Sequence, residues 1–123
     1  MAASLTMMTR RADFLAANRG LRVARPGFVL LAHGNAGQGQ RLGITVTKKI
    51  GNAVVRNRMK RRFRALAREI LPHHGLADTD HVLIGRDGGV ERDFDALRGE
   101  LVAALARAQA GKGDPPRRRR EKR

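Results

Sequence analysis

The sequence contains no cysteine, so disulfides and thiolate metal sites are excluded, and a reducing compartment is compatible. Tryptophan and tyrosine are absent too. Four phenylalanines form the whole aromatic complement, so any ring surface available for stacking is sparse. Acids are scarce, with 11 Asp and Glu against 26 Lys and Arg, a formal net charge of +15. Such an excess does nothing for fold stability, but it attracts polyanions and speeds their capture. Nucleic acid is the first candidate partner and an anionic membrane surface the second. No apolar run approaches the ~18 residues of a membrane span. The 123 residues suit one domain with a core large enough to fold unaided.

No internal repeat is present. The opening MAASLTMMTRRADFLAA is poor in acid, like a transit peptide. Asp13 and Phe14, however, fall in a first helix that the domain needs, so residues 1–8 are expected to be a flexible end. Thr9 is placed to cap that helix, which runs to Asn18 with Gly20 as a stop. Residues 22–25 (RVAR) either add a short edge strand or lead into the next one. PGFVLLAH, Pro26 to His33, reads as a strand, and GNAGQGQ, Gly34 to Gln40, as a turn region. RLGITVT, Arg41 to Thr47, alternates. Leu42, Ile44 and Val46 point one way, and Gly43, Thr45 and Thr47 the other. A long helix is predicted from Ala53 to Ile70, ended by Pro72. HVLIG, His81 to Gly85, is a short buried strand, and a second long helix spans Glu91 to Ala108. The domain is therefore set at 9–109. The tail 110–123 has nothing to bury and is expected to be disordered, its four-Arg run at 117–120 attracting a polyanion or, as the alternative, forming a targeting signal.

The first long helix carries the clearest signal. Val55, Met59, Phe63, Leu66 and Ile70 fall within about 80° of one another on a helical wheel, a narrow stripe that docks on the sheet. Lys60, Arg61, Arg64 and Arg68 fall opposite. Arg62 lies close to the stripe, so it either snorkels along the core edge or binds something specific. From Lys48 to Arg68 there are nine cations and no acid. Interleaved acids would make this an ordinary solvated face. Without them each cation adds repulsion, and those in the first turns oppose the helix dipole. An external polyanion relieves both costs. Arginine dominates, which suits forked contacts to phosphate. The small polar face of Gly43, Thr45 and Thr47 is either solvent-facing or the floor of a groove. Phe14 and Phe28 are either stacking platforms or core.

Nothing points to an active site within the chain. His33, His73, His74 and His81 lack ligand-like partners at i+4. His73 and His74 follow a helix end, where imidazolium suits the dipole. His81 reads as structural. Asp78 and Asp80 belong to a strand-leading loop, and Asp93 and Asp95 to the first turn of the last helix. No P-loop is present.

RLGITVTKKIGNAVVRNRMKRRFR resembles the signature of the bacterial ribonuclease P protein subunit. Its core is Arg56-Asn57-Arg58, preceded by Lys48-Lys49-Ile50-Gly51-Asn52. The resemblance extends over roughly residues 5–108, from Thr9-Arg10-Arg11-Ala12-Asp13-Phe14 through Val82-Leu83-Ile84-Gly85-Arg86 to the last helix. It implies an α+β fold, an α-β sandwich of order αβββαβα. The sheet is mainly antiparallel, and its βαβ crossover is left-handed against the usual preference. It implies a cytoplasmic protein paired 1:1 with a catalytic RNA, with no membrane partner. That holoenzyme removes the 5′ leader of precursor tRNA by Mg²⁺-dependent hydrolysis. The RNA carries the chemistry, and RNA and substrate hold most of the metal. By position, Arg56, Asn57, Arg58, Lys60, Arg61, Arg62, Arg64 and Arg68 are expected to face the catalytic RNA. Phe14, Phe28, Thr45, Thr47, Lys48 and Lys49 are expected at the leader cleft, with Asn52 at the junction of the two surfaces. Asn18 and Leu31 stand where relatives often carry aromatics. Arg10, Arg11 and Arg22 are expected to compensate with charge. A general RNA-binding protein is the competing reading. A membrane-surface role would need the apolar stripe that the core already uses.

Overall fold

The apolar runs pair into one sheet, and the two amphipathic stretches form its principal helices. The structure, a computed structural model, describes residues 5–113. The elements are β1 (Thr6–Met7), α1 (Arg11–Ala17), β2 (Leu21–Ala24), β3 (Phe28–Gly34), β4 (Arg41–Thr45), α2 (Ala53–His74), β5 (Thr79–Gly85) and α3 (Phe94–Gln109). Single 3-10 turns, Lys48–Ile50 and Asp87–Gly89, lie before α2 and α3. The spatial order is β1-β4-β5-β3-β2. β3 is antiparallel to both its neighbours, and β4 is parallel to β5 and β1. α2 makes the crossover between the parallel neighbours β4 and β5. The expected α-β sandwich and its element order are present, with β1 added at the start.

The sheet is covered unequally. Phe28, Leu30, Leu42 and Leu83 pack with Met59, Phe63, Leu66 and Ile70 of α2 and with Leu97, Leu101 and Leu105 of α3. Burying each such side chain fully contributes roughly 1.5–3 kcal/mol. The opposite face holds a smaller cluster of Met8, Ala17, Val29, Leu31 and Val82, with Phe14 and Ile84 partly buried against it. α1 has only 7 residues and covers only part of that face. β3 is apolar on both faces, which is why it reads as an unbroken hydrophobic run.

Several boundaries differ from expectation for identifiable reasons. Residues 6–8 are not a loose end: Thr6 and Met7 pair with Arg41 and Leu42, and Met8 is buried. Thr9 does not cap α1. The cap position is Arg10, whose carbonyl accepts from the N–H groups of Asp13 and Phe14. β4 ends at Thr45 because Thr47 already opens the 3-10 turn. Pro72 lies inside α2 rather than ending it. Ile70 and Leu71 are buried there, and Gly75 N–H still donates to the Leu71 carbonyl at 2.8 Å. Proline at 72 has no N–H to give the Arg68 carbonyl, so the burial of Ile70 and Leu71 holds this last turn despite the lost bond. α3 starts at Phe94 rather than Glu91, since the Asp93 carboxylate accepts from Ala96 N–H at 3.2 Å. Residues 22–24 do belong to an edge strand. From Asp114 onward the basic tail lies outside the described residues.

Candidate nucleic-acid interface

The half-covered sheet face forms an open cleft of about 570 Å³. Its floor follows from strand register. Gly43, Val82 and Leu31 lie in one row across β4, β5 and β3, and Thr45, Ile84 and Val29 in the next. Arg11, Phe14, Leu15 and Asn18 supply the α1 wall, and Lys60 reaches in from α2. One partly exposed aromatic ring, an aliphatic floor and cations at the rim suit an unpaired nucleotide strand.

Three expected cleft residues line it: Arg11, Phe14 and Thr45. Arg10, Thr47, Lys48, Lys49 and Asn52 are exposed without lining it. Phe28 is not a cleft residue. It is wholly buried on the other face, edge-to-face with Phe63 at 6.1 Å. Register decides this, because β3 alternates and Phe28 shares its face with Leu30, not with Leu31. Lys60, expected on the RNA-subunit surface, also serves the cleft. Asn18 and Leu31 line it as well, at the positions where aromatics were noted as missing. Sequence reasoning missed Thr9 and Leu15. It also missed Ile44 and Val46, which it placed on the opposite face of β4, and Val82 and Ile84. The alternation of β5 against Leu83 was the signal for the last two.

The segment from Thr45 to Asn52 links the cleft to the cationic ridge of α2. Lys48 and Lys49 form the 3-10 turn, and Asn52 caps α2 by accepting from Val55 N–H at 3.0 Å. Along the ridge, Lys60, Arg61, Arg64 and Arg68 make no ion pair with a described residue. Arg56 makes only a long contact to the Gly51 carbonyl, 3.4 Å. Arg58 has Glu91 at 3.7 Å, with both side chains exposed. Asn57 is exposed. Arg62 differs from its neighbours. Its guanidinium donates to the carbonyl of Arg92 at 2.6 Å and lies 5.7 Å from the Phe94 ring centre. These contacts tie α2 to the start of α3 and leave Arg62 only partly exposed, which sets it apart from the outward ridge.

A further set of charges is paired away from both surfaces. Arg41 donates to Asp80 at 2.6 and 2.8 Å, Asn35 donates to Asp80 at 2.8 Å, and Asp13 lies 3.5 Å from Arg41. Burial pushes the Asp80 carboxyl up, but the hydrogen bonds from Arg41 and Asn35 and the Arg41 charge outweigh it, leaving it below its ordinary value. His81 is wholly buried, accepts from Leu76 N–H at 3.0 Å through Nε2, and meets the Arg41 carbonyl through Nδ1. Burial lowers its pKa, and the bonding pattern fits the neutral ring protonated at Nδ1. No group of three or more acids or histidines is placed to hold a metal among the described residues.

The Ribonuclease P family profile matches residues 4–109. This chain belongs to the ribonuclease P protein family. It is similar to the ribonuclease P protein component of Erythrobacter litoralis, 77% identical over 114 residues, covering 93% of this chain and 94% of that one. Among solved structures it is similar to the Staphylococcus aureus ribonuclease P protein, with a TM-score of 0.71 at 30% identity, covering 84% of this chain and 94% of that one. The Thermotoga maritima ribonuclease P protein also gives 0.71 at 30% identity, covering 83% and 96%. The family likeness thus spans both the cleft and the ridge of α2. No helix among the described residues is long and apolar enough to cross a membrane.

Proposed function

We propose that this member of the ribonuclease P protein family acts as the protein subunit of a holoenzyme that matures the 5′ ends of tRNA. The ridge of α2, with Arg56, Asn57, Arg58, Arg61, Arg64 and Arg68, binds the catalytic RNA. The cleft, with Arg11, Phe14, Thr45 and Lys60, holds the single-stranded 5′ leader of precursor tRNA, and Arg10, Lys48, Lys49 and Asn52 flank it. One observation carries the reading. A continuous segment, 45–68, joins an open cleft to a helix whose outward cations have almost no acidic partner among the described residues.

The RNA subunit performs the hydrolysis in this reading. Mg²⁺ belongs with the RNA and substrate, because the charged groups lining the cleft are cations and would repel it. The protein lends charge and shape. Each phosphate it neutralises releases counterions, so assembly weakens as salt rises. Association is 1:1, with one ridge and one cleft per chain.

The test is cleavage of precursor tRNA at low Mg²⁺ by a bacterial ribonuclease P RNA, with and without this protein. Substrates with and without a leader are compared, and protein alone is the control. The expected result is stimulation that needs the RNA and favours the leader. RNA binding without stimulation would instead indicate a general RNA-binding protein, and cleavage by protein alone would place an active site in the chain.

A further inference from the structure

Gly43 lies beneath the Phe14 ring, in the same row as Val82 and Leu31 of the cleft. A β-carbon built at this position would lie 2.5 Å from Phe14 Cε1, 2.8 Å from Phe14 Cζ and 3.0 Å from Met8 Sδ. Real β-carbons do not approach carbon that closely, so any side chain here must move the ring. The atoms nearest the strand are those at the tip of the ring. The ring therefore meets β4 by its tip, and the same side chain lines the cleft. Gly43 itself is fully covered, and Phe14 is only partly buried.

The clearance is needed because of what surrounds the ring. Phe14 belongs to a helix of only 7 residues, held to the sheet by Ala17, by Met8 and by the contact of Asp13 with Arg41. Met8 is buried beside the ring on the same face of the sheet, and its Sδ is the third atom a β-carbon at Gly43 would meet. With a methyl group at position 43, the ring must leave this seat at the side of the cleft that it lines. The backbone at Gly43 is ordinary strand with no left-handed torsion, so glycine is needed there for room and not for conformation.

We infer that Gly43 is a positioning residue: its missing side chain seats the Phe14 ring and thereby sets the width of the leader cleft. The inference rests on the proposed leader cleft. It adds that one strand glycine, which touches no nucleotide itself, tunes how a leader base stacks. In a chain with a single aromatic ring in this cleft, that seat governs the whole stacking contribution.

The experiment is a double-mutant cycle in the reconstituted holoenzyme, with Gly43→Ala, Phe14→Ala and the pair together. Affinity is measured for precursor tRNA with a leader and for leaderless tRNA, alongside thermal unfolding of each free protein. Gly43→Ala is expected to weaken leader-bearing substrate roughly tenfold, the scale of one stacked base, with leaderless tRNA unchanged. In the Phe14→Ala background the same change is expected to have no further effect on leader affinity, because the ring it displaces is gone. Should Gly43→Ala unfold the protein, the pair is expected to refold, since the clash partner has been removed. The inference is overturned if Phe14→Ala lowers leader affinity while Gly43→Ala does not, or if the Gly43→Ala loss persists without the ring. If Phe14→Ala leaves leader affinity intact, the cleft assignment fails first and takes this inference with it.

Discussion

The outward ridge of α2 and the flank where α2 meets α3 are both rich in arginine, yet their side chains are used in opposite ways. On the flank, Arg98 pairs with Glu69 and Asp95 and lies 5.1 Å from the Phe94 ring centre, Arg92 pairs with Glu100, and Arg62 is held by the Arg92 carbonyl. On the ridge, Lys60, Arg61, Arg64 and Arg68 have no such partner among the described residues. Of the acids that form ion pairs among the described residues, all but Glu91 lie on the flank or around Arg41. Among the described residues, counter-charge thus ties the flank arginines into the fold and is nearly absent from the α2 ridge, as it is from Arg10, Arg11, Arg19 and Arg22. The four phenylalanines divide in a similar way: Phe28 and Phe63 fill the core, Phe94 serves the flank, and Phe14 is left at the cleft.

The contrast can be broken most severely at Arg41. Arg41→Met strands the nearly buried Asp80 carboxylate, and a stability loss of about 3–5 kcal/mol is expected in denaturant unfolding. Next comes Arg62→Ala, which removes a charged hydrogen bond to a backbone carbonyl. It is expected to cost about 2 kcal/mol of stability while changing affinity of the folded protein for RNA less than Arg61→Ala does. Phe14→Ala is expected to leave folding nearly intact and to weaken binding of leader-bearing substrate by about 1–3 kcal/mol, with leaderless tRNA unaffected. Equal losses on both substrates would remove Phe14 from the cleft.

A smaller effect tests the buried side by pH. The folded-state pKa of His81 is lowered from about 6.5, so between those two values the unfolded chain holds a proton that the native protein does not. Stability from this site is full above about pH 6.5 and declines as pH falls below it. Asp80, also lowered, keeps its contribution until pH falls below its ordinary value near 3.8. Unfolding free energies measured across this range should show two separate declines. Replacing His81 by Asn should remove the upper one.

Much of this was legible in the sequence. The run of nine cations without an acid marked the ridge, and the stripe from Met59 to Ile70 gave the buried side of α2. Family resemblance supplied the topology, which periodicity alone did not. What escaped was what depends on pairs far apart in the chain. Nothing near Arg62 announces the Arg92 carbonyl 30 residues away. Phe28 and Leu31 both look available on an apolar strand, and only register against β5 shows which one faces the cleft. Two-residue β1 is too short to carry a pattern and exists because β4 offers it an edge. Gly43 read correctly as part of a small face, but its role depends on a ring from another element.

The most direct measurement compares binding of ribonuclease P RNA by three proteins over a range of salt: the natural chain, Arg56→Ala with Arg58→Ala, and Arg92→Ala with Arg98→Ala. The α2 pair should lose affinity at near-physiological salt and show a shallower salt dependence, flattened by roughly 0.7–0.9 per lost phosphate contact, while its fold is kept. The flank pair should unfold more easily yet, when folded, bind RNA with the natural affinity and slope. Normal assembly by the α2 pair, or equal losses from both, would contradict the division of arginines on which this account rests.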